Sequence, residues 1–300
     1  MSAIARSTGG GVELELELER ADLIPGQLVG GALRVLTTKE REIRGALVSL
    51  IGTEHWKHEV SQTNAQGHTT TRIVRSTAEL PRVPIQLSGP ATLTAGLSRK
   101  MPFELPVPAL GPPTVTADAS GLEWVLEAKL DVPWLDPGVV LPVTIHQPTA
   151  LLRAGVVPVE QFALWPSVDA RADGIRASIA IEPVPLDLGG PLEGRVSLEL
   201  DKPLDVQGIR AELRVEAAAT VSRGVTDRTT IWSHLVREGG RMEAGHHELT
   251  FSGTVPDAGV PTARLPHGRT SGRLHLVFDV RWAADPHLDR EVAIATTTEV

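Results

Sequence analysis

The sequence predicts an all-β protein built from two tandem immunoglobulin-like β-sandwich domains. Short segments that alternate apolar and polar residues are separated by Pro and Gly turn signals along the whole chain, and no window of a dozen residues keeps a helical period. The chain also repeats itself, because the pattern of Leu23–Val35 returns in Leu186–Leu198, 163 residues later. A long internal repeat indicates a duplicated domain.

A second repeated block sets the domain limits. Phe103 and its surroundings return at Phe251, 148 residues later. We therefore expect a first domain over residues 1–150 and a second over 171–300, each near the usual domain size. Residues 151–170 are apolar rather than rich in Gly and Ser, which predicts a packed connector instead of a flexible linker.

The first strand is predicted over Val12–Glu19, where four aliphatic residues alternate with four glutamates. A period of two places the aliphatic side chains on one face and the carboxylates on the other. The simplest interpretation of the glutamates is a solvated strand face that lies opposite Arg34, Lys39 or Arg41 on neighbouring strands. A surface for calcium or for a basic partner is the alternative.

Turns and hairpins follow in order. Pro25-Gly26 supplies the backbone angles of a reverse turn. A hairpin is predicted with its tip at residues 64–67, and a matching hairpin of the second repeat has its tip near Gly224. The first repeat holds 15 more residues between Leu50 and Phe103 than the second holds between Leu213 and Phe251, and we place this insertion at residues 81–100.

Composition excludes several classes of function. The chain of 300 residues contains no Cys and carries a net charge of −8. Disulfides, cysteine–zinc sites and thiol nucleophiles are thus absent, and non-specific nucleic-acid binding is disfavoured because it needs a basic face. No segment is apolar enough to span a bilayer, although peripheral membrane association stays open, and residues 1–11 hold no apolar run. We expect a cytoplasmic location and no cofactor.

Two sets of residues resemble the arrestin-like superfamily, which includes arrestins, the retromer cargo subunit and bacterial sporulation-control proteins. The first set is the pattern that runs from Pro25-Gly26 through Gly31, Leu33 and Val35 to Ile43, Ala46, Val48, Leu50, Gly52, Glu54 and Trp56. The second set comprises Pro102-Phe103-Glu104-Leu105-Pro106, Pro113, Leu122 through Leu126, and Ala128-Lys129-Leu130-Asp131. Trp124 stands where the superfamily usually has Tyr.

The resemblance implies two tandem β-sandwiches and a non-catalytic adaptor or scaffold. Such a protein grips a protein partner through its concave sheets or its domain junction. The sequence does not identify the partner. A bacterial relative fits better than a receptor-regulating arrestin, because no Tyr is present for a proline-rich tyrosine motif.

The candidate partner-binding residues are Trp56, His55, His58, Trp232 and Trp165. Trp56 and Trp232 occupy similar places in the two hairpins, and an exposed Trp is a frequent energetic anchor of a protein interface. The two histidines at positions i and i+3 of a strand point to opposite faces, so they would not chelate one metal without a bulge. Exposed hairpin histidines are therefore the favoured interpretation, and no metal site is predicted.

The remaining tryptophans and the aspartates are predicted to be structural. Trp124, Trp134 and Trp282 are expected to be core or strand-end anchors. Asp131 and Asp279 are expected to be strand-end or turn carboxylates, because catalytic carboxylates are seldom duplicated in both halves of a chain.

Two alternatives to the adaptor stay open. One is a tandem sandwich that binds carbohydrate or another surface, and the other is a metal-dependent enzyme that uses the histidines. The sequence contains no nucleophile elbow, P-loop, dinucleotide-binding turn or zinc-protease motif.

Overall fold

The computed structural model describes residues 2–149, 170–172, 174–281 and 287–296. These residues form an all-β structure of two tandem β-sandwiches, which confirms the predicted fold class. The strands are β1 (Ala3–Gly9), β2 (Val12–Leu18), β3 (Asp22–Leu23), β4 (Leu28–Thr37), β5 (Arg41–Ile43), β6 (Gly45–Thr63), β7 (Thr69–Glu79), β8 (Val83–Ser88), β9 (Ala91–Leu93), β10 (Arg99–Pro106), β11 (Ser120–Asp131), β12 (Gly138–Ile145), β13 (Ala170–Ala172), β14 (Ile175–Glu182), β15 (Leu186–Asp187), β16 (Pro191–Leu200), β17 (Leu204–Ala219), β18 (Thr226–Met242), β19 (Gly245–Thr254), β20 (Ala263–Arg264), β21 (Gly268–Val280), β22 (His287–Val292) and β23 (Ile294–Ala295).

The first copy of the fold consists of two main sheets. One sheet has the order β1-β2-β4-β10, and the other has the order β3-β12-β11-β6-β7, with β8 also paired to β6. Alternate residues of the strands turn inward, so that Leu14, Leu16 and Leu33 are completely buried. This is the half-buried pattern that the alternation of Val12–Glu19 predicts.

The second copy repeats this arrangement. Its sheets have the orders β13-β14-β16-β19 and β18-β17-β21-β20, with β22 also paired to β21. The core of this copy includes Leu198, Leu213 and Phe278, which are all buried.

Each copy contains the same short parallel ladder, which supports the duplication. Leu23 of β3 is the register partner of Ile145 of β12. In the second copy, Leu186 of β15 is the partner of Ile294 of β23. Parallel pairing of two short strands at equivalent places is unlike the antiparallel ladders around it, so the repeat extends to topology as well as to sequence.

Both predicted hairpins are confirmed. At the first tip, the Oδ1 atom of Asn64 accepts hydrogen bonds from the backbone N–H groups of Gln66 at 3.0 Å and His68 at 2.9 Å. At the second tip, the N–H of Gly224 donates to the carbonyl of Val221 at 3.0 Å. The two turns place β6 beside β7 and β17 beside β18.

The predicted insertion at residues 81–100 forms regular structure. It contains β8, which pairs with the start of β6, and β9, which pairs with β5. In the second copy, the corresponding residues of β17 pair instead with the far half of β18, from Leu204 opposite Met242 to Leu213 opposite Trp232. The insertion thus supplies separate strands where the second copy uses one long strand.

The described residues group into two compact units. The first unit comprises Met1–His55, Ser76–Thr116 and Gly121–His146, and the second comprises Trp56–Arg75, Ala117–Ser120 and Gln147–Val300. The outer part of the first hairpin therefore belongs to the second unit. The predicted connector lies almost wholly outside the described residues, and the predicted boundaries at 150 and 170 stay predictions.

The glutamate face of β2 is a solvated strand face that pairs with basic residues. Arg6 lies 2.7 Å from Glu15, and Arg34 lies 3.6 Å from Glu15 and 3.8 Å from Glu17. The predicted role of Arg34 is confirmed. Arg41 instead donates a hydrogen bond to the carbonyl of Gly10 in the β1–β2 turn.

The tryptophans expected to be anchors differ from one another. Trp124 is buried and donates its indole N–H to the carbonyl of Pro112 at 3.2 Å, as predicted. The prediction for Trp134 is wrong, because this residue is fully exposed in the turn that follows β11. Its φ of 68°, after Pro133, gives this turn the features of type II, in which the third residue projects outward. Trp282 lies outside the described residues.

Within the described ranges, no helix has both the length and the apolar character that crossing a bilayer requires.

Candidate partner-binding surfaces

The stem of the first hairpin is held within the second unit through Trp56. The indole ring stacks on the imidazole of His267, with ring centroids 4.0 Å apart and planes 12° from parallel. The N–H of Lys57 donates to the carbonyl of Ala119 at 2.8 Å, and the Lys57 ammonium pairs with the carboxylate of Asp118. Trp56 is therefore half-buried, with an aromatic partner already in place.

The same stem pairs with the turn between β17 and β18. His58 forms an isolated antiparallel bridge with Gly224. The N–H of Val225 donates to the carbonyl of Lys57 at 3.0 Å, and the N–H of Glu59 donates to the carbonyl of Arg223 at 2.9 Å. His58 thus lies in a short ladder, and it is half-buried rather than exposed.

His55 differs from the sequence expectation. The expectation of an exposed hairpin histidine is wrong for this residue, which is 6% exposed. Its ring packs so closely over Gly121 that a side chain at that glycine would overlap it. The neighbouring Glu54 is also buried, which the sequence analysis did not single out. Among the described residues, no group of three or more His, Asp or Glu side chains could hold a metal ion.

Trp232 lies on β18 in a different setting. Its ring stacks on His234, with centroids 5.8 Å apart and planes 6° from parallel, and it lies 6.1 Å from Phe251 at an angle of 40°. Gly253 of β19 lies under the ring, since a Cβ atom there would be 2.6 Å from the indole nitrogen. The ring of Trp232 therefore packs directly against the backbone of β19 at Gly253, where the lack of a side chain leaves room for it.

The outer edge of β18 has no strand paired to it among the described residues. Several residues of β18 are exposed, and Leu235 is 52% exposed. An open pocket of about 440 Å³ lies beside it, and its lining includes His234, Arg195 and Thr250. The edge therefore offers backbone hydrogen-bonding groups next to side chains that could recognise a ligand.

The edge strand β10 of the first copy has a different sequence. Pro102 and Pro106 interrupt it, and each removes a backbone N–H donor. Proline on an edge strand hinders the addition of another strand. β18 contains no proline, so its edge lacks this protection.

The predicted site residues do not form one cluster. Trp56 and His58 lie on the stem of the first hairpin, and Trp232 lies on β18 with His234 and Phe251 as its ring partners. Trp165 lies outside the described residues.

The sequence analysis missed a charged face in the second unit. Arg210, Glu212, Arg214 and Glu216 alternate along β17, and their side chains share one face of the sheet. Glu212 accepts hydrogen bonds from Arg210 at 2.9 Å and from Arg214 at 2.7 Å, although its own side chain is only 8% exposed. The alternation of Arg and Glu along β17 was visible in the sequence. The residues of neighbouring strands that bury Glu212 were not.

Strands β21 and β22 extend this charged face. His275 Nδ1 lies 2.5 Å from Asp289 Oδ1. Burial alone would raise the pKa of Asp289, but the hydrogen bond and charge of His275, with the charges of His287 and Arg273, outweigh burial. The pKa of Asp289 therefore lies below its ordinary value.

Comparison with known proteins identifies one family. The model of the family described as SpoOM protein matches residues 2–153, which is half of the chain. No curated protein matches the sequence.

Proposed function

The chain belongs to the SpoOM protein family, which comprises bacterial sporulation-control proteins of the arrestin-like fold, and we propose that it is a non-catalytic adaptor that holds a protein partner. The family supports a role in sporulation control, and binding as the mode of action is part of the proposal. The proposed location is the cytoplasm, because a chain without cysteine fits a reducing compartment.

The observation that carries the proposal is the open edge of β18. An extended peptide that adds to such an edge gains backbone hydrogen bonds, while neighbouring side chains and pockets provide specificity. Leu235 and the ring of Trp232 would supply apolar contacts to the added segment. The polar pocket beside His234 would receive one of its side chains.

The proposal gives different roles to the two hairpins. His58 would fix the first hairpin against the turn before β18, and Trp56 would fix it against His267, which directly precedes β21. Trp232 would contact the partner directly. Binding by β10 is disfavoured by its two prolines.

Site-specific photo-crosslinking in the native cell tests this proposal. A benzoylphenylalanine at Leu235 should capture a protein partner. The same group at Val140 of β12, which is 49% exposed against 52% for Leu235, should not capture it. The purified partner should then slow hydrogen exchange of the β18 amides and leave the β10 amides unchanged. Equal capture at both positions, or no added protection of β18, would overturn the proposal.

A further inference from the structure

Two arginines face each other across the charged face of the second unit. Arg214 of β17 and Arg273 of β21 are register partners in the antiparallel β17–β21 ladder. Like charges at directly opposite positions destabilise a sheet. The pair therefore needs negative charge nearby. The two arginines differ in the carboxylates that lie within reach of them.

Arg214 and its neighbours on the face have carboxylate partners. Arg214 donates to Glu212 from Nε at 3.1 Å and from Nη2 at 2.7 Å. Arg228 of β18 donates to Glu216 at 2.7 Å. Arg210 forms a bidentate pair with Asp279, in which both distances are 3.0 Å.

Arg273 has no carboxylate at hydrogen-bond or ion-pair distance among the described residues, and it attracts the Asp289 carboxylate only from farther away. Within the described part of the chain, its guanidinium has no ion pair, and its Nε atom is shielded from solvent without a hydrogen bond. Its register partner on β22 is Glu291, whose side chain lines a different pocket. A shielded N–H group without an acceptor costs about 1–3 kcal/mol, which an incoming acceptor would recover.

Arg273 opens onto a pocket of about 260 Å³, whose lining includes Arg214, Arg228, Glu216, His275 and Asp289. The formal charges of the three arginines and two carboxylates leave one positive charge in excess before His275 is counted. A carboxylate balances that charge, whereas a phosphate dianion would bring a second negative charge beside Glu216 and Asp289. Planar guanidinium groups also bind carboxylates in a bidentate manner.

We propose that this pocket is a carboxylate-binding site in which Arg273 is the anchoring donor and Arg214 and Arg228 flank the bound group. The site shares Arg228 with β18, but its existence does not depend on the adaptor function. The bound carboxylate is either a free small acid or an acidic side chain of a peptide.

The test follows the Nε–H resonances of arginine in the ¹⁵N-labelled full chain during titration with acetate. Chloride is exchanged for acetate so that ionic strength stays constant. Arg273→Lys identifies the Arg273 signal, which should shift and saturate. Arg176, which is paired with Asp201 at 3.1 Å, is the matched control and should not shift with saturation.

Substitution completes the test. Arg273→Gln should weaken acetate binding at least about tenfold, whereas Arg176→Gln should leave it unchanged. Unchanged resonances of the other arginines would show that Arg273→Gln is still folded. A non-saturating response, the same response at Arg176, or saturation by phosphate but not by acetate would overturn the proposal.

A peptide arm distinguishes the two sources of the carboxylate. A glutamate-containing peptide with blocked termini is titrated beside acetate. Saturation by both ligands supports the site and assigns it to acidic side chains. Saturation by acetate alone supports the site and assigns it to small acids.

Discussion

The two units carry charged strand faces that look alike in sequence and differ in surroundings. On β2, glutamates alternate with aliphatic residues, and on β17 arginines and glutamates alternate with apolar residues. Arg6 lies 2.7 Å from Glu15 in the first face, and Arg214 lies 2.7 Å from Glu212 in the second. The distance is the same, but the Glu15 side chain is 20% exposed and the Glu212 side chain is 8% exposed.

The two faces therefore differ in how deeply their glutamates are buried, and we expect burial to have a large effect on the free energy of the ion pairs. A solvent-exposed ion pair contributes about 0–1 kcal/mol, because water screens it and side-chain entropy opposes it. Removing one member of a buried pair leaves a charge without solvent or partner and costs several times more. Arg6 is 65% exposed, whereas Arg210 and Arg214 are 39% and 36% exposed. The first face is thus mostly solvated, and the second is enclosed around Glu212 while water still reaches its arginines.

The largest expected effect is at Glu212. Glu212→Gln removes the charge that both Arg210 and Arg214 contact, so the free energy of unfolding should fall by about 2–3 kcal/mol. Urea denaturation of the full chain measures this change. A loss below about 0.5 kcal/mol would show that the second face is as well solvated as the first.

The next largest effect should have the opposite sign. Arg273→Leu removes an Nε–H group without an acceptor and the like-charge contact with Arg214, and it gives up only a longer-range attraction to Asp289. The free energy of unfolding should therefore rise by about 1 kcal/mol without a bound anion. Calorimetry in an acetate-free buffer measures the change. Arg176→Leu is the control, and it should not stabilise the chain. Destabilisation by Arg273→Leu would show that this arginine is satisfied in the folded state.

A smaller effect should depend on pH and report Asp289. Because its folded-state pKa lies below the ordinary value of 3.8, the ionised carboxylate stabilises the fold above that pH. This contribution is lost as the pH falls through the lower folded-state pKa. Thermal unfolding should show a gap between the melting temperatures of the wild type and Asp289→Asn at about pH 6. This gap should narrow as the pH falls below about 4. A gap that widens on acidification would contradict the assignment.

The smallest effect is expected on the first face. Glu17→Gln breaks a contact of 3.8 Å between exposed side chains, so the free energy of unfolding should change by less than about 0.5 kcal/mol. Urea denaturation at low and high salt measures it. A salt-independent loss above about 1 kcal/mol would show that the β2 face is not screened by solvent.

The same contrast explains what the sequence could predict. Alternation and repeat spacing can be read directly from the sequence, so they yielded the strand at Val12–Glu19, the two hairpins and the solvated face around Glu15. The enclosure of Glu212 depends on which residues of β18 and β21 lie beside it, and cross-strand register cannot be read from one strand. The exposure of Trp134 depends on turn geometry, since a type II turn projects a residue that an apolar pattern would bury.

The candidate site was predictable only in part. The resemblance supplied the adaptor hypothesis, and the hairpin positions singled out Trp56 and Trp232. Their ring partners His267 and Phe251 are distant in sequence, so the difference between a stem that is already packed and an open edge needed the structure.

Two double-mutant cycles test most directly the claim that burial, at equal distance, separates the two faces. One cycle combines Glu212→Gln with Arg214→Gln, and the other combines Glu15→Gln with Arg6→Gln. Urea denaturation should give a coupling energy of at least about 1.5 kcal/mol for the first pair and below about 0.5 kcal/mol for the second. Equal coupling energies for the two pairs would contradict the account.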